Sequence, residues 1–120
     1  MITIYHNPRC SKSRETLALV QEVAQRQNLA LTIIDYLKTP PALQDLAVLH
    51  TQLGVPVRGM LRDNEEEYAG LKLENADDAA LLAAIAGHPK LLQRPIVSYR
   101  GRAIIGRPPE RVLSLFDNNN

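Results

Sequence analysis

Ile2-Thr3-Ile4-Tyr5-His6-Asn7-Pro8-Arg9-Cys10-Ser11-Lys12-Ser13-Arg14 is the stretch that decides the fold. Its first four residues alternate apolar and β-branched side chains and halt at His6-Asn7-Pro8, which predicts a strand over Ile2–Tyr5 closed by a turn. From Ser11 to about Asn28 the period becomes helical, with Leu17, Val20 and Ala24 on one face and Ser11 or Ser13 available as the cap. Cys10 therefore falls at a helix N-terminus. Outward from there, Leu31–Tyr36 reads as a second strand. Thr39-Pro40-Pro41 then stops it and starts a helix with Leu43, Leu46, Leu49 and Leu53 along its buried side.

Gly54 ends that helix, Pro56 opens a short helical piece through Met60 and Leu61, and an acidic run follows at Asp63–Glu67. This middle stretch is only thinly apolar. A further helix is expected over about Asp77–Ala86, stopped by Gly87-His88-Pro89. Ile96–Tyr99 and Arg102–Ile105, separated by Arg100-Gly101, read as a two-stranded hairpin, and Pro108-Pro109 starts a last helix bearing Val112, Leu113, Leu115 and Phe116. The tail Asp117-Asn118-Asn119-Asn120 is expected to fray. The crossover between the first two strands makes them parallel, and the later hairpin makes the sheet mixed. The class is therefore α/β: a thioredoxin-like fold with a four-stranded mixed sheet, flanking helices and a helical insertion at about 41–90, all in one domain over 1–120.

Composition narrows the function. The chain of 120 residues is 45% hydrophobic and 22% charged, which excludes a disordered or collagen-like polypeptide. Fourteen Lys and Arg against thirteen Asp and Glu leave a net charge of +1, so no global basic field argues for nucleic acid or a membrane surface. No apolar run approaches the ~18 residues a membrane span needs. The one cysteine cannot form an internal disulfide, which favours a reducing, cytoplasmic compartment. Three histidines and one cysteine without zinc spacing imply no metal site, and no phosphate-cradling glycine loop is present.

A lone cysteine is more often an inert buried thiol, but the placement of Cys10 argues otherwise. Unpaired amides and the dipole of a helix N-terminus favour a thiolate, and Arg9, Lys12 and Arg14 lie within four residues, with His6 on the strand side. Thiolate is the nucleophilic form. In Cys10-Ser11-Lys12-Ser13 the second thiol of a dithiol motif is replaced by Ser13, so any thiol chemistry is monothiol and must be finished by an external thiol. Arg62, Arg94 and Arg107 stand at element ends, where forked guanidinia can grip an oxyanion, although each taken singly is more often a solvated charge. In a thioredoxin-like plan the turn at Arg94-Pro95 faces the cysteine loop, commonly with a cis proline. His50 and His88 are read as surface or helix-end histidines, the Glu65–Glu67 run as a solvated face, and Gly101 and Gly106 as residues serving backbone geometry.

Five segments taken together carry a family resemblance: Ile2–Arg14, Tyr36-Leu37-Lys38-Thr39-Pro40-Pro41, Met60-Leu61-Arg62, Arg94-Pro95-Ile96-Val97 and Gly106-Arg107-Pro108-Pro109. In order and over essentially the whole chain they resemble the glutaredoxin-coupled arsenate reductase (ArsC) family, and Ser11-Lys12-Ser13 resembles its short branch. The resemblance implies that Cys10 attacks arsenate, with His6 and Arg14 of the His6-x-x-x-Cys10-x-x-x-Arg14 pattern tuning the thiolate and with Arg62, Arg94 and Arg107 binding the oxyanion. It implies arsenate, glutathione as co-substrate and glutaredoxin as partners, with no bound cofactor. Two other readings share these residues: a glutathione-dependent reductase of another substrate, and a redox-linked interaction module like the RNA-polymerase-binding regulators that resemble this fold. In the latter, Ser13 excludes an intramolecular disulfide switch.

Overall fold

The computed structural model describes residues 1–117, and of the tail expected to fray, Asp117–Asn120, the last three residues lie outside the described residues. The chain forms two compact units: Met1–Tyr36 together with the segment from Arg94 onward, and Leu37–Gln93. The second unit is helical, and its bounds include residues 41–90.

The first unit is built on a four-stranded sheet of order β2-β1-β3-β4, with β1 at Ile2–His6, β2 at Leu31–Asp35, β3 at Ile96–Tyr99 and β4 at Arg102–Ile105. β1 runs parallel to β2, pairing Ile2 with Leu31 and His6 with Asp35, and antiparallel to β3, pairing Ile4 with Val97. Period-two alternation puts Ile2, Ile4 and His6 on one buried face of β1. Ile2 and Ile4 meet Val20 and Val23 of α1 (Ser11–Gln27), Val97 and Tyr99 of β3, and Val112, Leu115 and Phe116. Each such aliphatic side chain contributes about 1.5–3 kcal/mol by leaving water. The two hairpin residues between β3 and β4, Arg100 and Gly101, both have positive φ, 51° and 78°, as a two-residue turn matching the strand twist demands.

The last helix, expected from Pro108-Pro109, is instead a 3-10 helix over Pro109–Phe116. Its buried positions Pro109, Val112 and Leu115 recur every three residues, so the apolar stripe stays on one side only at three residues per turn. One further expectation is corrected at a helix start. Cys10, not Ser11 or Ser13, is the N-cap of α1, because the Ser13 hydroxyl is turned inward to His6.

In the second unit, α2 spans Leu43–Leu53, α3 Glu66–Gly70 and α4 Asp78–Gly87, with 3-10 turns at Val57–Met60, Leu73–Asn75 and Pro89–Leu91. Leu46 and Leu49 of α2 are buried, whereas Leu43, expected on that face, sits in the first turn half exposed. The thinly apolar middle stretch is well buried at its apolar positions: Val57, Met60 and Leu61 join Leu81, Ile85, Leu91 and Leu92 in the interior. Among the described residues no helix is long and apolar enough to cross a membrane.

Candidate active site around Cys10

The site grows from the junction of β1 and α1. Pro8 and Arg9 turn the chain, the Cys10 amide donates to the Asn7 carbonyl at 3.0 Å, and the Asn7 side-chain oxygen accepts the Arg9 amide at 3.0 Å. These bonds set Cys10 in extended geometry (φ −97°, ψ 124°) directly before the first helical turn. The thiol, half-buried, has the backbone amides of Lys12 and Ser13 as hydrogen-bond donors. Burial alone would push its pKa up. The Ser13 and Lys12 amides and the Arg94 guanidinium outweigh that effect, so the Cys10 thiol lies below its ordinary value.

Arg107 Nη2 donates toward Cys10 Sγ at 3.7 Å while its Nε donates to the Arg94 carbonyl at 2.8 Å, so one guanidinium ties the sulfur to the Arg94-Pro95 turn. That peptide bond is cis, in the form expected, and Arg107-Pro108 is cis as well. Gly106 makes the approach possible. A Cβ there would lie 2.7 Å from Thr16 Oγ1 and 3.0 Å from Pro95 Cγ, so only glycine lets the end of β4 close against α1.

The sequence-near charges take other roles. Arg14 Nη1 donates to the Pro8 carbonyl at 2.9 Å, bracing the cysteine loop from an exposed position. Lys12 Nζ lies 3.8 Å from Glu15, a solvent-facing pair. His6 is not one of the cations expected around Cys10. It is buried, and its Nδ1 is 2.6 Å from Ser13 Oγ, which also accepts the Asn7 amide at 3.0 Å. Burial, reinforced by Arg14 and opposed by Asp35, lowers the His6 pKa, so the ring is neutral at pH 7. Its link to the sulfur runs through Ser13, whose hydroxyl it holds and whose amide faces Cys10.

Arg62 belongs to the second unit, where its amide donates to the Leu91 carbonyl at 2.7 Å and its side chain, largely covered, lies 4.0 Å from Glu65. Glu65 therefore faces a cation and is not part of a wholly solvated run. Three residues that sequence reasoning did not place in the site are Asn7, Ser13 as a hydroxyl acceptor, and Tyr36, whose hydroxyl faces Arg94 and Asn7. Asn7 carries a legible signal, since an Asn-Pro turn before a helix recruits its side chain to local amides. Ser13 and Tyr36 carry no such signal.

A depressed thiol at a helix N-terminus with two guanidinia turned to it is equipped for nucleophilic attack on an anionic centre. The ArsC family model matches residues 5–115. This chain belongs to the ArsC family. It is 46% identical over 114 residues to the arsenate reductase of Neisseria meningitidis serogroup B, covering 92% of this chain and 94% of that protein. It is also 43% identical over 118 residues to the arsenate reductase of Haemophilus influenzae, covering 96% of this chain and 98% of that one. Among solved structures, an arsenate reductase from Vibrio cholerae superposes with a TM-score of 0.86 at 50% identity, covering 95% of this chain and 96% of that chain. The ArsC fold, a thioredoxin-like mixed sheet with flanking helices, is the one described above.

Proposed function

We propose that this ArsC-family chain is an arsenate reductase in which Cys10 is the nucleophile, with glutathione and glutaredoxin as reductants. The observation that carries the reading is the placement of Arg107 Nη2 3.7 Å from Cys10 Sγ, with Arg94 at the same sulfur. The cations that stabilise the thiolate are thereby positioned to hold the oxyanion it attacks. The names of the relatives supply the substrate.

In this cycle the Cys10 thiolate bonds to arsenic(V), and one arsenate oxygen leaves as water after protonation. A glutathione thiolate then attacks Cys10 Sγ. The S–As bond breaks with its electron pair going to arsenic, which leaves as arsenite, and Cys10 is left in a mixed disulfide with glutathione. A glutaredoxin thiolate attacks the glutathione sulfur and returns Cys10 as thiolate. Each turnover consumes two thiol equivalents, and because Cys10 is the chain's only cysteine and is regenerated, both must come from partners. Arg94 and Arg107 stabilise the oxyanion as charge shifts onto its oxygens. A reducing cytoplasm suits this requirement.

The test is an assay coupling NADPH oxidation through glutathione reductase, glutathione and glutaredoxin to arsenate. Turnover that depends on both thiol components and vanishes in a folded Cys10→Ser protein is expected. Full turnover by Cys10→Ser, or none by the wild-type chain with every component present, overturns the reading; in the second case a screen of other glutathione-dependent substrates follows.

A further inference from the structure

Tyr36 follows the last residue of β2 and is among the largest fully buried side chains of the molecule. Its hydroxyl oxygen and the Nε of Arg94 are both buried without a hydrogen bond of good geometry. A buried phenol that lacks a strong partner is a liability, and Phe would fill the same space without it. The groups facing that hydroxyl are the Arg94 guanidinium and the Asn7 side chain, with the Cys10 sulfur beyond them. Arg94 in turn faces both the Tyr36 hydroxyl and Cys10. Asn7 is the residue whose carbonyl holds the Cys10 amide, so both neighbours of the phenol are parts of the cysteine site. A guanidinium has donors only, so the phenol oxygen can serve Arg94 solely as an acceptor.

We propose that Tyr36 is a positioning residue: from within the interior its hydroxyl sets the Arg94 guanidinium toward Cys10 and the incoming oxyanion. The inference rests on the reading of Cys10 and Arg94 as the thiolate and anion site. The buried polar atom is retained where packing alone would discard it, a local violation expected at functional positions. Arg107 and the amides of Lys12 and Ser13 also act on the sulfur, so removal of the Tyr36 hydroxyl is expected to weaken the site rather than abolish it.

The variant is Tyr36→Phe, which removes one oxygen and keeps the ring. Three readouts are taken: the thermal midpoint, the thiolate absorbance of Cys10 titrated against pH with and without arsenate, and kcat and KM for arsenate. Expected are an unchanged or raised midpoint and a thiolate titration displaced upward, with the thiolate fraction below the midpoint reduced several-fold. A fall of about tenfold in kcat/KM, the equivalent of one pKa unit, accompanies them. A merely structural tyrosine would lower the midpoint and leave the titration of the folded protein where it was, and that outcome overturns the proposal. Should Tyr36→Phe not fold, wild type and Arg94→Lys carrying 13Cζ-labelled tyrosine decide the matter. The Tyr36 resonance moves between them if the contact is real, and an unmoved resonance sinks it. The two readings fail separately: an upward-shifted titration in Tyr36→Phe with no arsenate turnover by wild type leaves the positioning role and removes the substrate, whereas wild-type turnover with an identical Tyr36→Phe removes only the role.

Discussion

Two groups of cations surround Cys10, one near in sequence and one far, and only the far one reaches the sulfur. Arg9, Lys12 and Arg14 lie within four residues; Arg9 is exposed, Lys12 pairs with Glu15, and Arg14 braces the Pro8 carbonyl. Arg94 and Arg107, more than eighty residues away in the chain, supply the charge at the thiol. The reason is geometric. Residues beside an N-cap project outward from the first helical turn, where water screens them, while the ends of β3 and β4 deliver side chains across the open side of the loop. Sequence proximity to a nucleophile is thus a poor measure of electrostatic proximity.

The sharpest way to break this comparison is to remove one cation from each group. Arg107→Ala is expected to lower kcat/KM for arsenate by about 10²–10³, the usual loss for one oxyanion donor, and to raise the Cys10 titration midpoint. Lys12→Ala should change stability by less than about 0.5 kcal/mol and leave that titration almost unmoved. A Lys12→Ala effect as large as that of Arg107→Ala would reverse the assignment.

Gly106→Ala tests how the far group is delivered. The added methyl collides with Thr16 and Pro95, so a loss of about 1–3 kcal/mol is expected in denaturant titration, together with reduced activity as Arg107 is displaced. Wild-type stability in that variant would mean the contact between β4 and α1 is soft. Ser13→Ala strips partners from the buried His6 ring and the Asn7 amide and should cost about 1–3 kcal/mol, with a smaller upward shift of the thiol titration than removal of either arginine.

The last effect, confined to the pH dependence of stability, concerns His6. Its folded pKa is depressed below 6.5, so the unfolded chain takes up the proton first as pH falls. The stability carried by the neutral ring is full above about pH 6.5 and is lost as pH drops through the folded value. Thermal midpoints should therefore fall more steeply below that pH in wild type than in His6→Gln. The opposite slope would restore His6 to the near group of cations.

The strands and the cysteine's place were readable because each rests on local pattern: alternation in Ile2–Tyr5, the two-residue turn Arg100-Gly101, the Asn7-Pro8 stop. Helix type was less so. Pro109–Phe116 presents apolar residues compatible with either period, and only packing against the sheet selects three residues per turn. In the site, the positions of Arg94 and Arg107 at strand ends marked them as candidates, but their convergence depends on the collapse of Gly106 onto Thr16, a tertiary fact. Tyr36 opens one of the five family segments, but its tie to Arg94 was not legible, because a buried tyrosine after a strand is indistinguishable in sequence from core.

The Cys10 cap has one more consequence. Amides and guanidinia that favour sulfur as an anion lower the barrier to its departure as much as they prepare its attack. When the proposed mixed disulfide forms, the two sulfurs are unequal: glutathione's has no helix behind it, and Cys10's does. Cys10 is the better leaving group of the pair, so a partner thiol striking the glutathione side expels it downhill. A protein with a single thiol obtains in this way a direction to its exchange that a dithiol enzyme gets from its second cysteine.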